Sequence, residues 1–184
     1  NTMKILEKIK LHDRYFEPYI SVSEIATIVS KIADDINEDY KDKTPLIIPI
    51  LNGAFIFAAD LLRAMNIPTE LSFIKMQSYT GTKSSGVVNE LIGLSGSLEG
   101  KDVILVEDIV DTGNTLVKLY ELILAKNPAS VSVATLLIKE DVYDKDIPIN
   151  YKGKSIPNDF VVGYGMDYDE LGRDLDALYV EVAD

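Results

Sequence analysis

The chain has 184 residues, 47% of them hydrophobic and 26% charged, with 18 Lys and Arg against 30 Asp and Glu for a net charge of −12. That length buries a sizeable core and fits one domain, whereas the acidity excludes a general nucleic-acid-binding role, which needs clustered cations along a phosphate backbone. With no cysteine and a single histidine, His12, disulfides, thiolate metal sites and multi-histidine centres are excluded as well.

From Met3 to Tyr19 charged and apolar residues mix without a clean period, which reads as an irregular or strand-containing arm with His12 on its surface. Ser21 and, three residues later, Glu24 have capping-box spacing, and Ile25, Ile28, Val29, Ile32 and Ile36 form one stripe, predicting a helix over about Val22–Tyr40. Leu46–Leu51 is a continuous apolar run with the look of a buried strand despite Pro49. Asn52 and Gly53 break it, Ala54–Met65 reads as a buried helix, and Leu71–Met76 gives the next strand.

From Gln77 to Gly100 the composition turns to Ser, Thr, Gly and Lys, with a hairpin strand over Val87–Leu94. A polar stretch of this length inside a compact domain is often a lid or binding loop, and its bland counterpart is a disordered surface insertion. Farther on, Ser130–Ile138 is a buried strand ending at Lys139 and Glu140. Phe160–Tyr164 is a short strand ending in Gly165, Met166 and Asp167, and Leu178, Val180 and Val182 share one face of a last strand. Strands alternating with helices imply an α/β fold with a mainly parallel sheet covered on both faces. No apolar run reaches the roughly 18 residues of a membrane span and no signal peptide precedes the first helix, so a soluble, cytoplasmic protein without membrane partners is expected.

The chemistry concentrates in Val103–Thr115, VILVEDIVDTGNT. The apolar run stops at Glu107 and Asp108, a loop carrying Asp111 follows, and Leu116, Leu119, Tyr120, Ile123 and Leu124 then recur at helical spacing. In open α/β sheets ligands gather at the carboxyl ends of strands, and N–H groups opening a helix attract anions. Thr112, Gly113, Asn114 and Thr115 are small enough to admit a phosphate there, while the acids suit sugar hydroxyls, a divalent metal or a proton in transit. A phosphorylated sugar is the ligand this suggests. Read plainly, Glu107 and Asp108 are solvated strand-end acids, Asp111 is a helix-cap residue, Lys139 a solvated cation and Arg173 an ion-pair partner for its acidic neighbours. The absence of a Gly-x-x-x-x-Gly-Lys run argues against a nucleotide triphosphatase loop, and a DTG tripeptide between strand and helix does not fit an aspartic protease.

VILVEDIVDTGNTL resembles the phosphoribosyl-pyrophosphate (PRPP) motif of type I phosphoribosyltransferases, and DFVVGYGMDYDELGRDL is similar to the C-terminal signature of the hypoxanthine-guanine branch. SFIKMQSYTG resembles the mobile loop and ATLLIKE the strand carrying the purine-site lysine, so the likeness covers roughly Leu46 to Leu175 in the expected order. It implies one domain over 1–184, with a core of about 21–165 and a hood built from about 1–20 and 166–184. It also implies Mg²⁺-dependent transfer of a phosphoribosyl group from PRPP to N9 of hypoxanthine or guanine, giving IMP or GMP and pyrophosphate, by a homodimer or homotetramer.

Carried over residue by residue, the resemblance implies that Glu107 and Asp108 hold the ribose, directly or through metal. Asp111 exchanges a proton at N7, and Asp111, Thr112, Gly113, Asn114 and Thr115 wrap the 5′-phosphate. Lys139 donates to the purine O6, Phe160 stacks on the ring, and the backbone at Val161 and Asp167 reads its exocyclic edge. Asp167 also reaches a metal, Asn52, Gly53 and Arg173 meet pyrophosphate, and Ser78 and Tyr79 belong to the closing lid. One departure stands out, because many members have a basic residue before the glycine at Gly53, in a peptide of cis form, and here it is Asn52. The alternatives are a xanthine-preferring enzyme, or a non-catalytic domain sensing PRPP or a nucleotide.

Overall fold

The computed structural model describes residues 7–77, 89–94 and 96–184. In chain order its elements are β1 (Ile9–Leu11), β2 (Arg14–Ile20), α1 (Val22–Asp39), β3 (Leu46–Leu51), α2 (Phe55–Ala64), β4 (Glu70–Leu71), β5 (Ile74–Gln77), β6 (Asn89–Ile92), β7 (Asp102–Val110), α3 (Asn114–Leu124), β8 (Ser130–Ile138), β9 (Tyr151–Ser155), β10 (Val161–Val162) and β11 (Leu178–Val182). Ser78 and Tyr79 of the expected lid lie outside the described residues.

Among the described residues the strands form two sheets. The larger runs in the order β6-β5-β3-β7-β8-β9, with β4 also paired to β3, and every pair in it is parallel except β5 with β6. Alternate side chains of the inner strands serve opposite faces, as the pleat requires. Ile47, Ile104, Val106, Ala134 and Leu136 pack under α1 and α2, while Ile48, Leu105 and Val133 pack under α3. Helix α1 starts where the capping box placed it, with the Ser21 hydroxyl accepting from the Glu24 N–H at 3.2 Å. The smaller sheet, β1-β2-β11-β10, is antiparallel and closes over Phe16, Val162, Ala177 and Tyr179 as the hood. No helix among the described residues is long and apolar enough to cross a membrane.

Four local expectations are corrected. The strand read as ending at Glu107 and Asp108 continues past both acids to Val110, because its ladder with β8 carries on through Glu107↔Thr135, Ile109↔Leu137 and Val110↔Ile138. The strand expected over Leu71–Met76 is two short pieces, β4 and β5, both following β3. Their gap at Ser72–Phe73 lies opposite Ile48–Pro49, and a proline has no N–H to donate to that side. The strand expected over Phe160–Tyr164 is only Val161–Val162, and it joins the hood sheet by pairing with β11, so hood residues begin before 166. The polar segment with Pro148, Gly153 and Pro157 holds β9, a parallel edge strand whose burial rests mainly on Tyr151. Leu124, placed on the apolar stripe of α3, is 48% exposed.

Candidate active site

The carboxyl ends of β3, β7 and β8 and the segment after β10 converge on one cleft. Because β7 runs on past Val106, Glu107, Ile109 and Val110 line a cavity of about 190 Å³ together with Asp111 and the loop from Thr112 to Thr115. Gly113 supplies the left-handed residue, φ 85°, at which the loop turns into α3, and no side chain caps the helix. Its first turn also lacks an acidic residue. Backbone N–H groups at such an uncapped start present donors and the positive end of the helix dipole to an anion. A side chain at 113 is also barred by space, since a Cβ would lie 2.6 Å from the Tyr143 ring.

Two clusters flank this loop. In the first, Lys139 leaves the end of β8, where its N–H donates to Val110 O at 2.9 Å. Its ammonium, 7% exposed, lies 3.3 Å from Asp111 Oδ2 and 3.4 Å from Asn158 Oδ1. Phe160, two residues beyond Asn158, is 37% exposed. Lys139 is therefore a buried cation with one half-exposed carboxylate beside it, where a solvated surface lysine was the plain alternative.

The second cluster is a seam of close backbone approach. Asp108 lies against Gly53 so tightly that a Cβ there would sit 2.0 Å from Asp108 Oδ2. Gly165, at φ 98°, approaches from the other side, and a Cβ on it would fall 2.3 Å from Gly53 O. Only glycine serves there. Arg173 secures this loop, donating from Nη1 to Gly165 O at 2.8 Å and pairing through Nη2 with Asp167 Oδ1 at 3.2 Å. Asp167 Oδ2 accepts from the Glu170 N–H at 2.8 Å. Beside Gly53 the Leu51–Asn52 peptide is cis.

The two strand acids are held in a costly state. Burial pushes Glu107 well above the ordinary carboxylate range, and the charge of Asp108 adds to it. Burial raises Asp108 to about 6, against the pull of the Ile109 N–H, its own N–H and Arg173, with Asp167 pushing upward. Desolvation without a matching cation produces this direction. The chemistry of the donors fits Mg²⁺, a hard cation that takes one or two protein carboxylates and fills its remaining positions from substrate oxygens and water. Among the described residues no three acidic or imidazole groups converge as a ready-made metal cage, so most ligands of such an ion would come from substrate.

A family model described as "Phosphoribosyl transferase domain" matches residues 21–169. The chain belongs to the phosphoribosyltransferase family. Its relatives lie on the hypoxanthine-guanine branch. The hypoxanthine-guanine phosphoribosyltransferase of Mycobacterium tuberculosis is 42% identical over 163 residues, 85% of this chain and 81% of that protein. The enzyme of the same name from Dictyostelium discoideum is 41% identical over 167 residues, 88% of this chain and 93% of that one. Among solved structures, the hypoxanthine phosphoribosyltransferase of Trypanosoma cruzi is similar with a TM-score of 0.82 at 36% identity, covering 91% of this chain and 97% of the other.

Against this phosphoribosyltransferase frame, the structure brings together Glu107, Asp111 and Thr112 to Thr115 around one cavity, Asp111 with Lys139, and Gly53 with Asp108, Asp167 and Arg173 through the glycine seam. Val161 is 6% exposed and is paired with Val180 of β11. Sequence reasoning passed over Ile109 and Val110, which line the cavity because the strand runs on past the acids. It also passed over the Tyr143 ring at Gly113, brought in by the long β8–β9 connection, and Asn158, brought in by the short β9–β10 connection, neither of which leaves a periodic signal.

Proposed function

We propose that this chain is a purine-salvage hypoxanthine phosphoribosyltransferase, transferring the phosphoribosyl group of PRPP to N9 of hypoxanthine or guanine. The carrying observation is a cavity of about 190 Å³ at the uncapped start of α3, lined by the buried Glu107 and by Asp111, with the half-buried Asp108 next to Glu107 in the chain and the buried Lys139 paired to Asp111. A phosphate, a 6-oxopurine and a ribose diphosphate need those three chemistries side by side.

In this reading the N–H groups and hydroxyls of Thr112 to Thr115 hold the 5′-phosphate. Glu107 and Asp108 bind the ribose hydroxyls and are the residues that would hold one Mg²⁺, and Asp167 would hold a second. When bound, Mg²⁺ supplies positive charge that neutralises the departing pyrophosphate. The base stacks on Phe160, Lys139 donates to its O6 in preference to an adenine amino group, and the backbone at Val161 and Asp167 faces its exocyclic edge. Asp111 accepts the N7 proton as N9 bonds to the anomeric carbon, with the Lys139 ammonium beside it to stabilise its charge. Asn52 and Gly53 offer backbone contacts to pyrophosphate, Arg173 places its charge behind Gly165, and the segment of Ser78 and Tyr79 closes the cleft to water. A homodimer or homotetramer accompanies this reading, in keeping with the exposed Phe55 and Phe73.

The test is incubation with PRPP, Mg²⁺ and each of hypoxanthine, guanine, xanthine and adenine, following nucleotide and pyrophosphate by chromatography. IMP or GMP with pyrophosphate is expected. Turnover of xanthine alone would move the chain to the xanthine-preferring reading, and PRPP binding without product from any base would make it a sensing domain.

A further inference from the structure

The N-terminal hairpin contributes a residue that nothing in the motif reading touches. Arg14 opens β2, and its guanidinium carbon lies 4.6 Å from the centre of the Tyr168 ring and 5.6 Å from that of Phe160. Those rings meet edge to face, with centroids 5.9 Å apart, and Phe16 backs both at 6.1 and 6.2 Å. Arg14 is itself fixed, since Nη1 pairs with Glu181 Oε2 at 3.4 Å. The loop of contacts closes through the backbone, because the Glu181 N–H donates to Phe160 O at 2.9 Å. One residue of β11 thus holds the main chain of Phe160 and the cation that overlies its ring. Tyr168 is tied into the same hairpin by its hydroxyl, which donates to Asp13 Oδ1 at 2.7 Å.

We propose that Arg14 is a positioning residue for the purine, fixing the plane of Phe160 and lending its ring cation–π polarisation, so that the N-terminal hairpin forms the supporting wall of the base subsite. The inference rests on the proposed reaction and extends it to a segment outside the phosphoribosyltransferase motifs. A ring that is 37% exposed and is braced by a guanidinium, a second ring and the buried Phe16 keeps its orientation when no base is bound. A planar base then meets a stacking surface already in place, and the entropy of ordering that side chain is not charged to binding. Because the stacked base is bound before and during transfer, the effect falls on base affinity more than on turnover.

The experiment compares the parent chain with Arg14→Met, Arg14→Lys, Phe160→Leu and the Arg14→Met/Phe160→Leu double variant, measuring kcat and KM for hypoxanthine and for PRPP. Arg14→Met is expected to raise hypoxanthine KM about fivefold, with PRPP KM and kcat within about twofold, and Arg14→Lys to restore most of the loss because the cation remains. In the Phe160→Leu background Arg14→Met should have no further effect. An unchanged hypoxanthine KM in Arg14→Met, or an equal rise with and without the Phe160 ring, overturns the positioning role while leaving the proposed activity intact. Global damage would lower kcat and raise both KM values, Arg14→Lys would not rescue it, and that pattern also overturns the role. An inactive parent chain, or a Phe160→Leu variant with parental hypoxanthine KM, overturns the functional reading of the base subsite and this inference with it.

Discussion

Replacing Asp108 with Asn should make the unliganded protein more stable while damaging its activity. Asp108 is packed into the notch at Gly53 and held at about 6, against an ordinary value of 3.8, chiefly by burial. A carboxyl whose folded value is raised is favoured in its neutral form, so its contribution is fully present below 3.8 and is lost as pH rises through 6. By linkage, that displacement costs about 3 kcal/mol at pH 7.5 and about 1 kcal/mol at pH 4.5. Asn has the same shape, can still accept the Ile109 N–H bond that Asp108 Oδ1 takes at 2.7 Å, and carries no charge to desolvate. Denaturant unfolding of both forms without ligand at the two pH values checks this. Asp108→Asn should be more stable by about 1–3 kcal/mol at pH 7.5, with a gain about 2 kcal/mol smaller at pH 4.5. A variant less stable than the parent at pH 7.5, or a difference that ignores pH, would refute the claim that the acid sits in an uncompensated site.

Asp111→Asn should lower kcat about 10²–10³-fold while PRPP affinity, read by titration calorimetry, changes far less. Equal losses in both would move Asp111 from proton transfer to phosphate binding. Lys139→Ala should raise hypoxanthine KM about tenfold or more, since a buried charged donor is lost and the Asp111 carboxylate loses its ammonium neighbour. An unchanged KM would remove Lys139 from the base subsite. Gly165→Ala should cost about 1–3 kcal/mol in thermal or denaturant unfolding, because φ is 98° and the new Cβ meets Gly53 O at 2.3 Å. A neutral result would show that the seam yields easily.

How much could be read from the sequence depended on whether the signal was local. Leu46–Leu51 and Ser130–Ile138 fell where the continuous apolar runs put them, and α1 began at its capping box, because burial on both faces and a terminal cap are written in adjacent residues. Polarity misled where tertiary pairing outweighed it. Glu107 and Asp108 look like a strand end, yet the apolar β8 ladder carries β7 past them, and Tyr151–Ser155 looks like loop, yet it pairs along the same β8. Val161–Val162 carries no mark of which sheet it will join; its partner β11 comes only after the turn through Gly163, Tyr164 and Gly165, at φ of 100°, 48° and 98°. In the site, residue size and position alone singled out Thr112 to Thr115, and these residues line the cavity at the uncapped start of α3. The meeting of Asp111 with Lys139 came from family resemblance, and the bracing of Phe160 by Arg14 from neither, since it depends on the hood folding back over the core.

The departure at Asn52 can be weighed against the rest of the cleft. A lysine or arginine there would bring a cation to pyrophosphate, yet it would also sit near Asp108 and lower its carboxyl, relieving the desolvation that now raises it. With Asn52 the unliganded site keeps the buried Glu107 and the half-buried Asp108 short of positive charge, because Arg173, which lowers Asp108 only in part, is paired with Asp167 and Gly165. Such a site favours a cation arriving with the substrate over one built into the chain. Metal-bound PRPP would then gain from relieving Glu107 and Asp108 as well as from its own contacts, which lets a protein of net charge −12 hold a polyanion without a basic surface. Asn52→Lys tests the trade. It should weaken the dependence of PRPP affinity on Mg²⁺ concentration and bring the stability of the unliganded protein at pH 7.5 closer to that of Asp108→Asn. If neither quantity moves, position 52 does not share the electrostatics of the strand acids.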